Sequence, residues 1–184
     1  MNKLYAIIGP PASGKSSIVK KLKEYGLPVL ISHTTRPPRK NEKDGTDYYF
    51  VDKTAFTKMN FVEKASYSNH FYGLTKEEVL SKVNKYPVSI VDIDLNGLDQ
   101  LKKLLGDRLE SVYSLVDKDT IIYRYLDQGE DVAAINHRIE YAEKNGEFNN
   151  WQIANHVVKN TGTIDATVRQ ILAIMNLVTI KELV

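Results

Sequence analysis

The chain has 184 residues, of which 42% are hydrophobic and 26% charged, and its formal net charge is +2. These values are ordinary for one globular domain, and the small charge gives no indication of a nucleic-acid surface. Because the chain contains no cysteine, disulfides, thiolate metal sites and a catalytic thiol are excluded. No stretch approaches membrane-spanning length, so we expect a cytoplasmic protein, monomeric or homodimeric, without a membrane partner.

Apolar runs alternate along the chain with segments of helical periodicity. This alternation predicts an α/β fold in which a parallel sheet has helices on both faces and ligands lie beyond the carboxyl ends of the strands. Short strands between residues 47 and 73 indicate an inserted flap. In chain order, the pattern predicts strands at 4–8, 28–32, 48–51, 61–67, 69–73, 88–94, 109–116 and 155–159, and helices at 15–25, 54–59, 75–85 (with Thr75 and Glu78 as a capping box), 95–105, about 117–126, 132–145 and 164–178.

The loop after the first predicted strand matches G-x-x-x-x-G-K-S, the phosphate-binding loop (P-loop) of P-loop NTPases. Between a strand and a helix, such a loop turns backbone N–H groups toward phosphate oxygens, and the helix dipole adds to the attraction. We expect it to bind ATP together with Ser17, with Lys15 bridging the outer phosphates and the Ser16 hydroxyl binding Mg²⁺. The structural alternative is a glycine-rich turn capped by a serine. The loop consists of Gly9, Pro10, Pro11, Ala12, Ser13, Gly14, Lys15 and Ser16.

A second pattern begins at Ser32, where residues 32–39 read S-H-T-T-R-P-P-R. It continues with Glu42, Asp44-Gly45, Tyr48, Phe61-Val62-Glu63, Phe71-Tyr72-Gly73 and Asp92-Ile93-Asp94. Together with the P-loop, these residues resemble the guanylate kinase family over nearly the whole chain. The resemblance implies a single guanylate-kinase-like domain over 1–184. Its P-loop NTPase-type core would cover 1–32 and 86–184, with a mixed-sheet GMP-binding flap at about 33–85 and a helical lid at about 124–146.

Two arginines of this segment are suited to a phosphate. Arg36 and Arg39 are three residues apart in a loop that prolines stiffen, and planar guanidiniums bind phosphate bidentately. The resemblance implies that they hold the phosphate of GMP with the help of Tyr48 and Tyr72, and that Arg36 takes part in catalysis. Two solvated arginines and two tyrosines that pack within the flap are the alternatives.

Glu63 is suited to a guanine base. A carboxylate can accept hydrogen bonds from both the N1–H and the exocyclic amine of guanine, whereas adenine offers no such pair of donors. The resulting discrimination is on the order of 1–3 kcal/mol or more. The resemblance assigns this contact to Glu63 and places Ser32 beside it at the base. An exposed glutamate at a strand edge is the alternative.

Asp92 and Asp94 alternate along one predicted strand and so are expected to face the same side. Carboxylates at that position suit Mg²⁺ or its waters, with Asp92 as the metal residue. The resemblance implies that one of the two also contacts the GMP nucleoside. A helix N-cap by Asp94 is compatible with either role.

Arg124 and Arg138 lie on either side of a predicted helix break at 128–131. In the family that the chain resembles, arginines here lie on a mobile lid and reach the transferring phosphoryl group. Cations at that place stabilise the charge of the transition state. For Arg138, an ordinary helix-surface arginine is the alternative.

Three positions depart from the family pattern. Gln128 stands where the lid usually has an arginine, and Leu74 stands where a serine or threonine hydroxyl contacts the base. Asn41 replaces a glycine, although asparagine tolerates positive φ. The missing arginine at position 128 is expected to lower the rate, and the missing hydroxyl at position 74 is expected to weaken the selectivity for the base. Together the departures predict a divergent member of the family.

The function that the resemblance implies is phosphoryl transfer from ATP to GMP, and by extension to dGMP, with Mg²⁺ as cofactor and ADP and GDP as products. The enzyme would be an ATP:GMP phosphotransferase. One rival is another kinase of the same fold with a different phosphorylated acceptor. The other is a non-catalytic guanylate-kinase-like module that binds phosphorylated peptides.

Overall fold

The computed structural model describes residues 1–67 and 69–178 and contains two four-stranded β-sheets. The strands are β1 (Lys3–Ile8), β2 (His33–Thr34), β3 (Tyr49–Phe50), β4 (Phe61–Tyr67), β5 (His70–Thr75), β6 (Val88–Asp92), β7 (Leu109–Leu115) and β8 (His156–Lys159). The α-helices are α1 (Lys15–Glu24), α2 (Lys53–Thr57), α3 (Lys76–Lys85), α4 (Leu95–Leu105), α5 (Lys118–Asp127), α6 (Val132–Lys144) and α7 (Ile164–Ile174). Two 3₁₀ helices cover Gly106–Arg108 and Glu147–Ile153.

The central sheet is parallel and has the strand order β6-β1-β7-β8. Alternate residues of β1 point to opposite faces, as the period of a strand requires. Leu4, Ala6 and Ile8 pack in a core with side chains of α3 and α4, while Tyr5 and Ile7 pack in a second core with side chains of α1 and α7. Both faces of the sheet are therefore covered, which is why β1 has an unbroken run of buried apolar residues from Leu4 to Ile8.

The second sheet is mixed and has the order β3-β2-β5-β4. Strands β4 and β5 form an antiparallel hairpin whose register shifts between Phe61 and Glu63, so that Leu74 lies directly opposite Glu63. A Cβ on Gly73 would lie 2.5 Å from the Phe61 ring and 2.9 Å from the Glu63 carbonyl oxygen. Only glycine therefore fits at position 73, where the two strands of the hairpin approach each other closely.

A third apolar cluster joins α5 and α6. Its buried members are Val116, Ile121, Tyr125 and Ile135, and Ala12 of the P-loop packs against them. The P-loop is thereby in contact with the two helices that the sequence predicts as a lid. No helix within the described ranges is long and apolar enough to cross a membrane.

The predicted α/β architecture is confirmed, and three details of it are wrong. Residues 28–32 do not form a full strand: they contribute one parallel bridge, Val29 to Ile90, at the edge of the central sheet. The strand at 88–94 ends at Asp92. The capping box at α3 is half formed: the Thr75 hydroxyl accepts a hydrogen bond from Glu78 N, but the Glu78 carboxylate accepts one from Ile31 N at 3.0 Å instead.

Candidate active site

The P-loop joins β1 to α1 and leaves the start of α1 open. Gly14 occupies the N-cap position with φ 89°, and no side chain caps the helix. The other six α-helices of the described chain each have an aspartate or threonine cap, namely Asp52, Thr75, Asp94, Asp117, Asp131 and Thr163. The first backbone N–H groups of α1 are therefore available to an anion.

Lys15 is folded back over this loop. Its ammonium group donates hydrogen bonds to the carbonyl oxygens of Gly9 at 2.9 Å and Pro10 at 3.0 Å. Burial lowers the pKa of Lys15, while the carboxylates of Asp92, Glu147 and Asp94 act in the opposite direction. The Lys15 ammonium group is largely withdrawn from water and hydrogen-bonded to neutral carbonyl oxygens. It can therefore readily exchange them for the negatively charged oxygens of a phosphate.

Ser16 and Asp92 meet at the end of β6. The Ser16 hydroxyl donates a hydrogen bond to Asp92 Oδ2 at 2.7 Å. One hydroxyl and one carboxylate beside a phosphate loop form the kind of sparse oxygen set that Mg²⁺ accepts, because Mg²⁺ keeps several waters and takes further ligands from substrate phosphates. Within the described residues, no group of three or more His, Asp or Glu side chains could hold a metal ion by itself.

Asp94 does not lie on the same strand as Asp92, contrary to the sequence prediction. It follows the end of β6 and caps α4, since its Oδ1 accepts a hydrogen bond from Gly97 N at 2.9 Å. The helix N-cap, which the sequence allows as an additional role of Asp94, is therefore the contact that the structure shows. Asp94 also lines a cavity with Lys15.

Two open cavities of about 490 Å³ each meet at Lys15. The first, called here the donor cavity, brings predicted P-loop residues together with α5 and with the loop after β8. Its lining residues are Ala12, Gly14, Lys15, Ser16, Ser17, Arg124, Gln128, Asn160, Gly162 and Ile164.

The second cavity lies between the P-loop, the start of α4 and the end of α6. Gly9, Pro11 and Asp94 line it together with Tyr141 and Glu147, among others. Burial raises the pKa of Glu147, which the Lys15 charge counteracts, so this carboxylate lies within electrostatic reach of the P-loop lysine. Sequence reasoning missed Glu147, because it lies in a 3₁₀ helix with no recognisable motif.

Arg36 and Arg39 lie in the loop between β2 and β3, around a shared glutamate. Arg36 Nη2 donates to Glu42 Oε1 at 2.8 Å, and the backbone N–H of Arg39 donates to Glu42 Oε2 at 2.8 Å. The hydrogen bond from Arg36 is the main cause of the lowered pKa of Glu42. Glu42 therefore orients the segment that carries both arginines. It is part of the sequence pattern, but the sequence does not indicate this role.

Aromatic rings surround the Arg36 guanidinium. It lies 5.6 Å from the centroid of Tyr48 and 5.9 Å from that of Phe50, within cation–π range. The rings of Tyr48 and Tyr72 meet edge to face at 6.0 Å. The structure therefore brings the predicted residues Arg36, Tyr48 and Tyr72 into one cluster, in which the two tyrosine rings also pack against each other.

Glu63 lies on β4 against the start of α4. A Cβ on Gly97 would lie 3.4 Å from its Cδ. Burial, with smaller contributions from Asp94 and Asp92, raises the pKa of Glu63 to about 7. A carboxylate in such surroundings is well suited to accept hydrogen bonds from a ligand with two adjacent N–H groups.

Ser32 precedes β2, and its backbone carbonyl accepts a hydrogen bond from Tyr49 N at 2.9 Å. Leu74 is only 1% exposed and belongs to the core that includes Leu98 and Leu101. Thr75, one residue on, uses its hydroxyl to cap α3 and so does not replace the missing hydroxyl at position 74. The φ of Asn41 is not positive, so position 41 does not require a residue that tolerates the left-handed backbone conformation.

The two predicted lid arginines have different surroundings. Arg124 donates to the carbonyl oxygens of Ala12 at 2.9 Å and Asn160 at 2.6 Å, so it touches the P-loop. Arg138 instead donates to Glu130 Oε1 at 3.3 Å and is about half exposed. The structure therefore joins Arg124 to the P-loop and leaves Arg138 on the surface of α6.

Comparison with known proteins identifies relatives over nearly the full chain. A family model described as guanylate kinase matches residues 1–177. A guanylate kinase of Schizosaccharomyces pombe is 36% identical over 177 residues, covering 87% of each chain. One from Legionella pneumophila (strain Paris) is 34% identical over 134 residues, and this match spans 70% of the present chain and 64% of that relative.

The fold also resembles a solved structure. The crystal structure of guanylate kinase from Anaplasma phagocytophilum gives a TM-score of 0.65 at 24% identity, covering 95% of this chain and 84% of that one. At this identity the likeness supports the fold alone.

Proposed function

The chain belongs to the guanylate kinase family, and we propose that it transfers the γ-phosphate of ATP to GMP, and to dGMP, giving ADP and GDP. The observation that carries this proposal is the position of Asp92 and Asp94. They influence the pKa of both Lys15 at the P-loop and Glu63 on β4. The hydrogen bonds agree: Asp92 accepts one from Ser16 Oγ of the P-loop, and Asp94 accepts one from Gly97 N, next to which the Glu63 carboxyl group lies. These contacts support a phosphate site and a base site next to the same pair of aspartates.

On the donor side, the open start of α1 and the Lys15 ammonium would hold the phosphates of ATP. Ser16 and Asp92 would hold Mg²⁺, which neutralises charge on the phosphates when bound. To bind phosphate, Lys15 exchanges the Gly9 and Pro10 carbonyls for phosphoryl oxygens. Such an exchange costs little, because Gly9 lines the open second cavity and the Pro10 carbonyl keeps the hydrogen bond from Ser13 N at 3.2 Å.

On the acceptor side, Arg36 and Arg39 would hold the phosphate of GMP, with Tyr48 and Tyr72 beside them. Glu63 would accept hydrogen bonds from the guanine edge, with Ser32 next to the base. The ionised form of Glu63 is the one that accepts both bonds, so GMP binding would favour loss of its proton. Holding two phosphates in line between these groups requires no covalent intermediate.

The test is a coupled ADP-release assay with ATP and a panel of acceptors: GMP, dGMP, AMP, UMP and sugar phosphates. We expect GMP and dGMP to be turned over at the highest kcat/KM, and a Lys15→Ala variant to lose this activity by about 10³-fold or more. AMP or a sugar phosphate turned over far better than GMP would indicate another kinase of the same fold. If Lys15→Ala and the wild type both failed to consume ATP with any acceptor, the chain would be a binding module.

A further inference from the structure

Three side chains from separate elements hold the outer side of the P-loop. The carbonyl oxygen of Ser13 accepts hydrogen bonds from Ser114 Oγ and from Asn160 Nδ2, both at 2.8 Å. The carbonyl oxygen of the preceding residue, Ala12, accepts one from Arg124 Nη1 at 2.9 Å. Ser114 lies near the carboxyl end of β7, Asn160 follows β8, and Arg124 lies on α5.

These contacts determine where the next backbone N–H points. In a planar trans peptide, the carbonyl of one residue and the N–H of the following residue point in opposite directions. Because two donors fix the Ser13 carbonyl outward, the Gly14 N–H is turned to the inner side of the loop. Gly14 itself begins α1 as its uncapped N-cap residue.

We propose that Asn160, together with Ser114, is a positioning residue of the donor site, which aims the Gly14 N–H at the phosphates of the bound nucleotide. Arg124 supports the same arrangement, since its second nitrogen donates to the Asn160 carbonyl oxygen at 2.6 Å. This inference rests on the proposed function, in which ATP is the phosphoryl donor.

The hydrogen bonds around Asn160 fix the orientation of its side chain. It is 2% exposed, and its Oδ1 accepts a hydrogen bond from the Thr167 hydroxyl at 2.9 Å. Its backbone N–H donates to the Leu115 carbonyl at 2.9 Å. The Ser13 carbonyl can only accept, so the atom that faces it must be the amide nitrogen. Each polar atom of Asn160 therefore has a hydrogen-bond partner, and together these bonds hold its side chain in one orientation.

Gly14 shows how closely Asn160 approaches the loop. A Cβ on Gly14 would lie 2.5 Å from Asn160 Nδ2, and the φ of Gly14, 89°, is unfavourable for other residues. The glycine of the motif thus serves the contact with Asn160 as well as the turn. A purely structural asparagine would have no need to touch the loop at this point.

The experiment measures binding of MgADP by calorimetry, and steady-state KM for ATP and for GMP, in Asn160→Ala, Ser114→Ala and Ser111→Ala. The first two variants each remove one donor to the Ser13 carbonyl. Ser111→Ala is the matched control, because it removes another buried hydroxyl of β7 whose hydrogen bonds are made with Asn155. We expect the first two to weaken MgADP binding by about fivefold to tenfold, with the KM for GMP unchanged.

A Ser111→Ala variant that lost MgADP affinity as strongly as Ser114→Ala would overturn the proposal, because the effect would then be one of packing. Equal losses for ATP and GMP would also overturn it. If Asn160→Ala does not fold, Ser114→Ala decides, and unchanged MgADP affinity in that variant refutes the role. A wild type that binds MgADP but does not phosphorylate GMP would refute the proposed function and leave the binding test intact.

Discussion

Replacing Glu63 with glutamine should stabilise the protein at neutral and alkaline pH and weaken the selectivity for guanine that we propose for it. The carboxyl group lies against the start of α4 and has Asp94 and Asp92 as charged neighbours. Burial and these like charges disfavour its ionised form, so the pKa of Glu63 rises from 4.5 to about 7. Glutamine has nearly the same size and cannot ionise.

The sign and size of the effect follow from linkage. In the unfolded chain Glu63 loses its proton near pH 4.5, but in the folded protein it does so only near pH 7. Ionisation therefore favours unfolding as the pH rises between these values, and the penalty is constant above them. Each pKa unit corresponds to about 1.4 kcal/mol, so without screening the full penalty would be about 3.5 kcal/mol. Because Glu63 is partly exposed, solvent screening reduces the penalty to about 1–2 kcal/mol, or roughly 2–8 °C in Tm for a chain of this length.

The assay is thermal or urea unfolding of the wild type and Glu63→Gln at pH 5 and pH 8. We expect a gain in stability at pH 8 that nearly disappears at pH 5, together with a loss of kcat/KM for GMP of about 100-fold or more. Glu42→Gln is the matched control, and we expect the opposite effect on stability: this variant should be less stable than the wild type at pH 8. Arg36 lowers the pKa of Glu42, so the stabilisation from Glu42 is present at pH 8 and is lost as the pH falls. A Glu63→Gln variant that was destabilised at pH 8, or shifted equally at both pH values, would refute the reasoning.

Substitutions at three further positions test other parts of the site. Gln128→Arg places a guanidinium in the donor cavity and should raise kcat for GMP phosphorylation by about tenfold or more; an unchanged kcat would show that position 128 does not approach the phosphoryl group. Leu74→Thr puts a hydroxyl into a buried apolar core and should cost about 2–4 kcal/mol in urea unfolding; an unaltered midpoint would contradict its place in that core. Ala12 has φ 54°, so Ala12→Gly should keep or slightly raise Tm, whereas the β-branched Ala12→Val should lower the stability by about 1–2 kcal/mol; equal Tm values for the two variants would argue against left-handed strain at this residue.

The parts of the fold and site that sequence reasoning predicted are those with a local signal. The P-loop specifies its own backbone conformation, and a continuous apolar run marks β1. Asp117 stands at the start of the helix predicted at about 117–126, and its side chain caps α5 by accepting a hydrogen bond from Thr120 N. In each of these cases the residues that interact lie within a few positions of one another, where periodicity and capping rules apply.

The parts that could not be predicted depend on contacts between distant positions. Glu78 has the spacing of a capping-box residue, yet its carboxylate bonds Ile31 N, 47 residues away. Asn160 is 147 residues from Ser13, and nothing in its neighbourhood marks it apart from its place after the last predicted strand. Residues 28–32 have the composition of a strand, but they lie at the sheet edge and pair at a single bridge, which composition does not reveal.

The two arginines predicted for a lid are held with unequal strength, and this difference bears on which of them could reach the phosphoryl group in the proposed reaction. Moving Arg124 would break two partly buried hydrogen bonds from its guanidinium, to the carbonyl oxygens of Ala12 and Asn160, and bonds from a charged donor contribute about 1.5–3 kcal/mol each. Arg138 is about half exposed and pairs with Glu130 at 3.3 Å, and such surface pairs contribute only about 0–1 kcal/mol. Its guanidinium also lies 5.5 Å from the centroid of the Tyr125 ring, a contact that adds about 0.5–1 kcal/mol at an exposed site. Exchange of Glu130 for a phosphoryl oxygen therefore costs less than moving Arg124, so we expect Arg138 to be the arginine that moves while Arg124 stays with the P-loop.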